Sequence, residues 1–383
     1  MEDRKENKMK FVHIADIHLG KVLHQYSLLD IQKELLYELL EFMDSHDIRT
    51  LVMAGDIYDR LIPSQEAVNV LDSFLSDALL KYHIHVLMIS GNHDSSDRLH
   101  FGRSILLQQG LYIETYIDKK MHYVEMDDVR FYLLPFFKPH QIRTLFENDD
   151  LHTYQDAMAY YISQQNLDKN FKNILVTHQF VGHHNILSES EMPLSVGGSE
   201  IIDAHVFDAF DYVALGHLHA PQKVSRETMR YSGSLMRYSF DEVKQKKSFV
   251  VVDTDDMSLS FHELHPSCQV EKYEGSFHDF MDPHFIENKN NFLAFILTDD
   301  SFVPHAMEQL RVLYPRLLQI TYQFVFQHNE QESTKSIDDI EKIDTLSLYH
   351  DFYHMVKQQD LSEEQKVIVA HLLESVGGKD DYS

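Results

Sequence analysis

The sequence predicts an α/β fold, and three observations lead to that prediction. Over roughly the first 220 residues, short apolar runs alternate with longer amphipathic stretches, which favours strands separated by helices. The runs are apolar at nearly every position, as is typical of strands buried on both faces of a sheet. Polar residues directly follow several runs, at the edge where the carboxyl ends of parallel strands meet and ligands bind.

The strands and helices of this core can be placed in order. Strands are predicted at KFVHIAD, TLVMAGD, HVLMISG, RFYLLPF, NILVTHQ and YVALGHL. Apolar residues at helical spacing predict helices at LLDIQKELLYELLEFMDSH and SQEAVNVLDSFLSDALLKY, with Ser64 as the N-cap of the second. Later strands that close the core are predicted at RYSGSLMRYSF and KSFVVVDTDD.

The pattern changes after Pro266. Strands at QVEKYEG, NFLAFILTD and LLQITYQFV, with a helix at PHAMEQLRVLY, predict a small α+β domain. The polar stretch QHNEQESTKSIDDIEK is predicted to be a linker, and amphipathic helices follow at TLSLYHDFYHMVKQQ and SEEQKVIVAHLLESV. The predicted boundaries are residues 9–265 for the core, 266–327 for the small domain, 328–343 for the linker and 344–376 for the C-terminal helices.

The composition argues against a membrane or secreted protein. Of the 383 residues, 43% are hydrophobic, but no segment approaches the ~18 uninterrupted apolar residues of a membrane span. The polar start MEDRKENKMK carries no secretory signal, and the single cysteine, Cys268, cannot form an internal disulfide. We therefore expect a cytoplasmic protein.

The chain is strongly acidic. The 34 Lys and Arg residues and the 61 Asp and Glu residues give 34 − 61 = −27 with histidine neutral. Such a chain repels nucleic acid unless its charge is localised, or a metal or partner intervenes. The sequence contains no G-x-x-x-x-G-K-[ST] motif, so any ATP chemistry must come from a partner.

Five strand ends carry carboxylate, amide or imidazole side chains. They are Asp16 and His18 in ADIHLG, Asp56 in AGDIYD, Asn92 and His93 in GNHD, His178 in VTHQ, and His217 with His219 in GHLH. In extended chain, residues i and i+2 point the same way, so Asp16 with His18, and His217 with His219, are expected to present paired ligands. Each residue alone is more often a turn or structural residue, whereas the ordered set indicates a site.

The types of donor in this set indicate metal ions. Oxygen and imidazole donors without thiolates favour manganese, iron or zinc-like ions in expanded coordination over a structural zinc site. Two divalent ions bring four positive charges, and Asp16 and Asp56 return two negative ones, so the cluster would attract a phosphate locally. The sequence therefore predicts a two-metal site that hydrolyses a phosphoester.

These motifs, in this order, resemble those of the calcineurin-like metallophosphoesterases. More narrowly, GNHDSSDRLHFG and MPLSVGGSEIIDAHVFDAFDYVALGHLH resemble the SbcD family of bacterial nuclease subunits. The resemblance covers most of residues 9–245, is fainter over 268–328 and returns in the last helices. It implies a metallophosphoesterase α/β/β/α sandwich core with a small α+β capping domain and C-terminal helices.

The resemblance also implies a role for each site residue. One metal would be held by Asp16, His18, Asp56 and His219, and the other by Asp56, Asn92, His178 and His217. Asp56 would bridge two divalent ions, for which Mn²⁺ is the expected identity. His93 would contact the scissile phosphate and help the leaving oxygen depart, a role that suits an imidazole. Asp94 would orient His93 or its loop, and Asp59 would support the site.

The activity implied by the resemblance is that of a metal-dependent DNA nuclease. Family members act as 3′–5′ exonucleases on duplex DNA and as endonucleases on hairpins or blocked ends, in DNA repair and recombination. The implied partner is an SbcC-like SMC-family ATPase, bound through the C-terminal helices, in a heterotetramer that contains a homodimer of this chain.

Two other functions stay open at this point. One is another calcineurin-like phosphoesterase, such as a protein phosphatase or a nucleotide phosphodiesterase, and the other is a non-catalytic scaffold. GNHD in place of GNHE argues against a protein phosphatase, and the complete ligand set argues against a scaffold.

Overall fold

The computed structural model describes residues 9–182, 200–323, 361–362, 365–366 and 368–369. The chain divides into two compact units, residues 1–271 and 272–383. The predicted linker and nearly all of the predicted C-terminal helices lie outside the described residues. The domain boundaries drawn from the sequence therefore stay a prediction.

Strands and helices alternate through the first unit, as the apolar pattern predicts. The strands are β1 (Lys10–Ile14), β2 (Val22–Leu23), β3 (Tyr26–Ser27), β4 (Thr50–Ala54), β5 (His85–Ile89), β6 (Leu111–Glu114), β7 (His122–Met126), β8 (Val129–Leu134), β9 (Lys172–His178), β10 (Tyr212–Gly216), β11 (Gln222–Val224), β12 (Arg226–Tyr231), β13 (Ser248–Asp253) and β14 (Leu259–Glu263). The helices are α1 (Leu29–Ser45), α2 (Gln65–Ser76), α3 (Ser96–His100), α4 (Arg103–Leu106), α5 (Pro139–Phe146) and α6 (Tyr154–Ser163).

Two six-stranded sheets form the body of this unit. The first has the order β14-β13-β1-β4-β5-β6, with β1, β4, β5 and β6 parallel. The second has the order β11-β12-β10-β9-β8-β7, with β8, β9, β10 and β12 parallel. Antiparallel strands flank the parallel ones: β13 and β14 lie on one side of the first sheet, and β11 and β7 lie at the two edges of the second.

The two sheets pack face to face through an apolar layer. Phe11 on β1 meets Phe131 on β8 and Tyr212 on β10 edge-to-face, with ring centroids 5.2 and 5.6 Å apart. Each such pair adds about 0.5–1.5 kcal/mol beyond the area it buries. Helices cover the outer faces: Phe42 of α1 contacts Phe249 of β13, and Tyr161 of α6 lies in the core beneath the second sheet. The predicted α/β/β/α sandwich is confirmed.

One local prediction, the cap of α2, is confirmed, and another, a strand over residues 230–240, is wrong. Ser64 caps α2 as predicted, because its side chain accepts a hydrogen bond from the Ala67 amide. The stretch RYSGSLMRYSF is not one strand: β12 ends at Tyr231, and the chain then turns through Gly233, whose φ is 77°. That prediction was wrong because apolar Leu235 and Met236 are buried from a loop rather than from a strand.

The later part of the chain forms a separate small α+β layer. Its elements are β15 (Val270–Gly275), α7 (Phe277–Phe280), β16 (Phe292–Leu297), α8 (Ala306–Leu313) and β17 (Leu317–Tyr322). The strands form one sheet in the order β15-β16-β17. Phe280 stacks on Phe295 at 4.0 Å between ring centroids, and the two rings anchor an apolar core of this unit.

Every helix in the part of the chain that the structure describes is too short or too polar to traverse a bilayer.

Candidate metal centre

Glycines allow the strand ends at the sheet edge to approach one another closely. A Cβ at Gly91 would lie 2.1 Å from Asp56 Oδ1, and a Cβ at Gly216 would lie 1.9 Å from the Ala54 carbonyl oxygen. Neither position can hold a side chain without moving the neighbouring backbone or carboxylate. The glycines in GNHD and GHLH therefore serve the close packing of three strand ends.

Four of the predicted ligands have left-handed backbone. The φ angles are 52° at Asp16, 47° at His18, 50° at Asp56 and 111° at His217. For residues other than glycine such conformations cost about 1–3 kcal/mol and concentrate at functional sites. The expectation that Asp16 and His18 converge because the chain is extended was wrong, since β1 ends at Ile14. They converge because the loop after β1 turns sharply.

One donor cluster joins the loops after β1 and β10. Single donor atoms from Asp16, His18 and His219 all lie within 4.8 Å of one another. The Nε2 atoms of His18 and His219 are 3.1 Å apart, although 201 residues separate them in sequence. All three side chains are buried.

A second cluster joins the last residue of β9 to the loops after β4, β5 and β10. His178 Nε2 lies 3.0 Å from Asn92 Oδ1 and 3.4 Å from Asp56 Oδ2. His217 Nδ1 lies 3.1 Å from the same Asn92 oxygen. Burial and the neighbouring His178 lower the pKa of His217 to about 3, so its imidazole is neutral and has a lone pair for a cation.

Asp56 lies between the two clusters. Its Oδ2 atom is 3.4 Å from His178 Nε2 and 3.6 Å from His18 Nε2. Its Oδ1 atom accepts the His93 amide at 2.9 Å. Although burial opposes ionisation, the neighbouring His178 and His18 hold the pKa of Asp56 well below its ordinary value. One ionised carboxylate thus faces both clusters.

The donor set fits a metal ion. His178 Nδ1 donates to the Ala54 carbonyl oxygen at 2.8 Å, so Nε2 is the atom turned toward Asn92 Oδ1 and Asp56 Oδ2. Both of those oxygens are acceptors, so a positive charge must lie among them. Although burial lowers it, the Asp56 and Asp16 carboxylates raise the pKa of His178 to about 9, which reports the same preference for positive charge. A divalent cation meets this need with the oxygen and imidazole ligands present.

His93 lies at the open side of the site. Its side chain is 38% exposed, and its Nδ1 atom donates to the Asp59 carbonyl oxygen at 3.0 Å. Its Nε2 atom is 4.0 Å from Asp56 Oδ2, and its ring is among the donors that cluster with His18 and Asp56. The geometry therefore permits either a ligand role or a phosphate-contacting role for His93.

Asp94 ties two loops together, whereas Asp59 lies beside His18. The Asp94 carboxylate accepts the amides of Ile57, Tyr58 and Gly91 at 2.8–3.0 Å and so ties the loop after β4 to the loop after β5. Asp59 pairs with Lys21 at 3.0 Å, and its Oδ1 atom is 3.7 Å from His18 Nδ1. Of the two roles expected for Asp94, these contacts favour orientation of the loop.

Sequence reasoning missed three buried polar residues behind the ligands. Gln32 donates to the carbonyl oxygens of Ile17 and His18, both at 2.8 Å. Glu242 accepts a hydrogen bond from His219 Nδ1 at 3.0 Å and pairs with Lys247 at 2.7 Å. A single Glu, Gln or Lys among polar neighbours gives no sign of burial in a sequence, so no local pattern could have identified them.

Comparison with known proteins identifies the family of this chain. The model of the family "Calcineurin-like phosphoesterase" matches residues 9–221. The SbcD subunit of the SbcCD nuclease of Staphylococcus epidermidis is 36% identical over 371 residues, which is 95% of this chain and 98% of that protein. The chain belongs to the SbcD family of calcineurin-like phosphoesterases.

Solved structures add two neighbours to this SbcD-family chain. TT1561 of Thermus thermophilus is 10% identical with a TM-score of 0.39, and covers 67% of this chain and 99% of its own. A dimetal phosphatase from Danio rerio is 12% identical with a TM-score of 0.39, and covers 67% of this chain and 96% of its own.

Membership of the SbcD family fixes the general chemistry. The chain is a phosphoesterase that uses divalent metal ions, and the clusters of buried carboxylates and imidazoles supply the donors. The predicted α/β fold class and the predicted family are both confirmed.

Proposed function

We propose that the chain is a metal-dependent DNA nuclease that degrades duplex ends in the 3′–5′ direction and cuts hairpins or blocked ends. The observation that carries the proposal is the convergence of carboxylate, amide and imidazole donors from five strand ends around Asp56. The relationship to the SbcD subunit of the Staphylococcus epidermidis nuclease, over 95% of the chain, supports a nuclease over other phosphoesterases.

The proposed cofactors are two Mn²⁺ ions. Asp16, His18, Asp56 and His219 would hold one, and Asp56, Asn92, His178 and His217 would hold the other. When bound, the ions generate a nucleophile from water near neutral pH and stabilise negative charge on the phosphate oxygens. The position of Asp56 Oδ2, 3.4 Å from His178 Nε2 and 3.6 Å from His18 Nε2, supports its role as the bridge.

The chain's own residues would complete the chemistry. His93 would contact the scissile phosphate and give a proton to the leaving oxygen. Its partial exposure and the hydrogen bond from its Nδ1 atom to the Asp59 carbonyl support this role, because they orient Nε2 at the open side of the site. Asp94 would act by holding the GNHD loop through the three amides that it accepts.

The proposed partners are DNA and an SbcC-like SMC-family ATPase, with a homodimer of this chain inside a heterotetramer in the cytoplasm. Large apolar side chains exposed just after two ligand loops support the dimer: Ile62 is 73%, Phe101 87% and Ile105 74% exposed. Large apolar side chains that form an exposed patch mark interaction surfaces. Residues 9–265 would be the nuclease domain and 344–376 the segment that binds the ATPase.

A direct assay tests the nuclease function. Linear plasmid-length DNA labelled at the 5′ or the 3′ end is incubated with purified protein at low salt, with Mn²⁺ or with excess chelator. We expect early loss of the 3′ label, opening of a hairpin substrate and no cleavage with chelator. A His178→Ala variant should be inactive, and a His205→Ala variant, whose ring is exposed beside Asp208, should match wild type.

Parallel assays separate the alternatives. Hydrolysis of a phosphopeptide or a cyclic nucleotide with intact DNA in the same buffer would contradict the nuclease and favour another phosphoesterase. If the protein binds two metal ions normally but hydrolyses none of these phosphoesters, the result would favour a scaffold.

A further inference from the structure

A buried ion pair lies directly behind one of the proposed ligands. Glu242, in the 3₁₀ turn Phe240–Lys244, is 0% exposed, and Lys247 is 8% exposed. Lys247 Nζ lies 2.7 Å from Glu242 Oε2. Burying two charges costs several kcal/mol for each ion unless further hydrogen bonds satisfy both groups. The other hydrogen bonds of Glu242 and Lys247 therefore indicate which residue this ion pair positions.

Those contacts enclose His219. Glu242 Oε1 accepts from His219 Nδ1 at 3.0 Å, and Glu242 Oε2 accepts from the Tyr238 amide at 3.1 Å. Lys247 Nζ donates to the His219 carbonyl oxygen and to Ser234 Oγ, both at 2.8 Å. The ring of His219 is thus held by the carboxylate and its backbone by the ammonium.

This arrangement fixes which nitrogen of His219 can bind a cation. Because Nδ1–H donates to a carboxylate, the lone pair is on Nε2, which lies 3.1 Å from His18 Nε2 inside the first donor cluster. His178, in the second cluster, makes the equivalent hydrogen bond to the neutral Ala54 carbonyl oxygen. A carboxylate acceptor makes an imidazole a stronger ligand than a carbonyl acceptor does.

The two half-sites share their carboxylates. Asp16 accepts the His217 amide at 3.0 and 3.1 Å, which fixes its orientation, and it lies in one donor cluster with His18 and His219 and in another with Asp56 and His178. The acceptor behind each histidine therefore distinguishes the half-sites, since it is a carboxylate behind His219 and a neutral carbonyl behind His178. A better oriented and more basic imidazole favours tighter binding of a divalent cation.

We propose that Glu242, braced by Lys247, is a positioning residue that makes the half-site of Asp16, His18, Asp56 and His219 the tighter of two unequal metal positions. The inference rests on the proposed function for the assignment of the ligands and deepens it by giving an order of metal loading. The first ion would fill the His219 half-site, and the second would fill the His178 half-site.

Calorimetric titration of the full-length protein with Mn²⁺, without DNA, tests this directly. Wild type should show a tighter and a weaker binding phase. In Glu242→Gln, which keeps the acceptor but loses the charge, the tighter phase should weaken about 10–100-fold and the weaker phase should change by less than about twofold. A general loss of stability would weaken both phases together, so the difference between them reports positioning.

Two further variants make the test decisive. Glu114→Gln is the matched control, because Glu114 is a buried carboxylate paired with Arg103 at 2.7 Å and His122 at 2.6 Å, and both phases should match wild type. If Glu242→Gln does not fold, Glu242→Gln with Lys247→Met removes both buried charges, and the same selective weakening is expected.

Equal weakening of both phases, no change in either, or selective weakening of the weaker phase would overturn the inference. Wild type that binds fewer than two ions would overturn it together with the two-ion assignment. The nuclease proposal is judged separately by DNA cleavage in wild type, so a protein with unequal metal phases and no cleavage would refute that proposal alone.

Discussion

The two carboxylate oxygens of Asp56 have different partners, so the residue supports several parts of the site at once. Oδ2 faces His18 and His178, whereas Oδ1 accepts the amide of His93 at 2.9 Å. A substitution therefore affects both donor clusters and the GNHD loop together. The left-handed backbone at Asp56, with φ 50°, is a further constraint that an Asp side chain tolerates better than most.

Asp56→Ala should abolish binding of both metal ions, because no neighbouring group replaces the carboxylate that faces both clusters. Calorimetric titration with Mn²⁺ measures this. Asp56→Asn is the informative companion, since it retains an oxygen that can accept the His93 amide but loses the charge. Normal loading of two ions in Asp56→Ala would show that the bridge has been assigned to the wrong residue.

His93→Leu separates binding from chemistry. Because His93 is assigned no coordination bond, we expect both ions to bind as in wild type while DNA cleavage falls by about 10²-fold or more. His100→Leu, a nearby histidine that contacts Thr115 outside the donor clusters, should retain activity. Loss of one metal equivalent in His93→Leu would instead assign His93 as a ligand.

Helix α2 is the element whose start the sequence predicts most directly. It follows the Asp56 loop, and Ser64 accepts the Ala67 amide at 3.2 Å with extended backbone. This hydrogen bond satisfies a donor that the first turn of a helix otherwise leaves without a partner.

Ser64→Ala should destabilise the first unit by about 0.5–2 kcal/mol, and Ser64→Gly by only a few tenths. Denaturant unfolding followed by far-UV circular dichroism gives the difference. Thr153→Ala is a comparison, because Thr153 caps α6 by the same kind of bond to the Asp156 amide and should cost a similar amount. Equal stability of wild type and Ser64→Ala would mean that the cap contributes nothing.

The predicted C-terminal helices could contact either this chain or a partner protein. Their apolar stripes consist of Leu346, Leu348, Tyr349, Phe352, Tyr353 and Val356, then Val367, Val369, Leu372, Leu373 and Val376. Nearly all of these residues lie outside the described part of the chain. The stripes could pack on this chain's own body, but the polar linker that precedes them favours docking on a partner.

A chain that ends at Gln327 should keep two-metal binding and lose co-purification with an SbcC-like ATPase. Affinity capture of the co-expressed partner measures complex formation, and calorimetry on the same sample shows that the nuclease domain is intact. A chain that ends at Gly378, after both helices, is the control. Undiminished complex formation by the shorter chain would refute the assignment.

At the scale of the whole molecule, the charge of −27 opposes binding to a polyanion. Among the densest basic segments in the sequence are Lys119–Lys120 with Arg130, and Lys244 with Lys246 and Lys247. The fold neutralises part of each: Arg130 pairs with Glu125 at 3.0 Å and Asp168 at 3.2 Å, and Lys247 is buried against Glu242. These two segments therefore offer few cations to follow a DNA backbone.

The protein alone should bind duplex DNA weakly, with a shallow salt dependence that reports only a few neutralised phosphates. Tight binding is expected only with the ATPase partner, whose surface would supply most phosphate contacts. Affinity titrations at several salt concentrations, with and without the partner, measure both quantities. Nanomolar binding by the protein alone at physiological salt, with a steep slope, would reveal a basic groove built from residues distant in sequence.

The sequence by itself determined the elements and the types of donor. Buried parallel strands require continuous apolar runs, so β1, β4, β5, β8, β9 and β10 could be predicted, and polar residues at their ends marked the ligand-binding edge. Short edge strands such as β6 and β7 escaped prediction, since they carry fewer buried residues and pair on one side only.

Only the tertiary structure decided which donor side chains face one another and which buried residues form hydrogen bonds to them. His18 meets His219 across 201 residues of sequence, and Glu242 reaches His219 from a 3₁₀ turn with no helical or strand periodicity. Local patterns encode whether a residue is buried in its own helix or strand, whereas these contacts depend on how loops from two packed sheets fold over a shared edge. The left-handed turns at Asp16, His18 and Asp56 arise from that packing, because only a surrounding fold can hold non-glycine residues in conformations that the isolated chain disfavours.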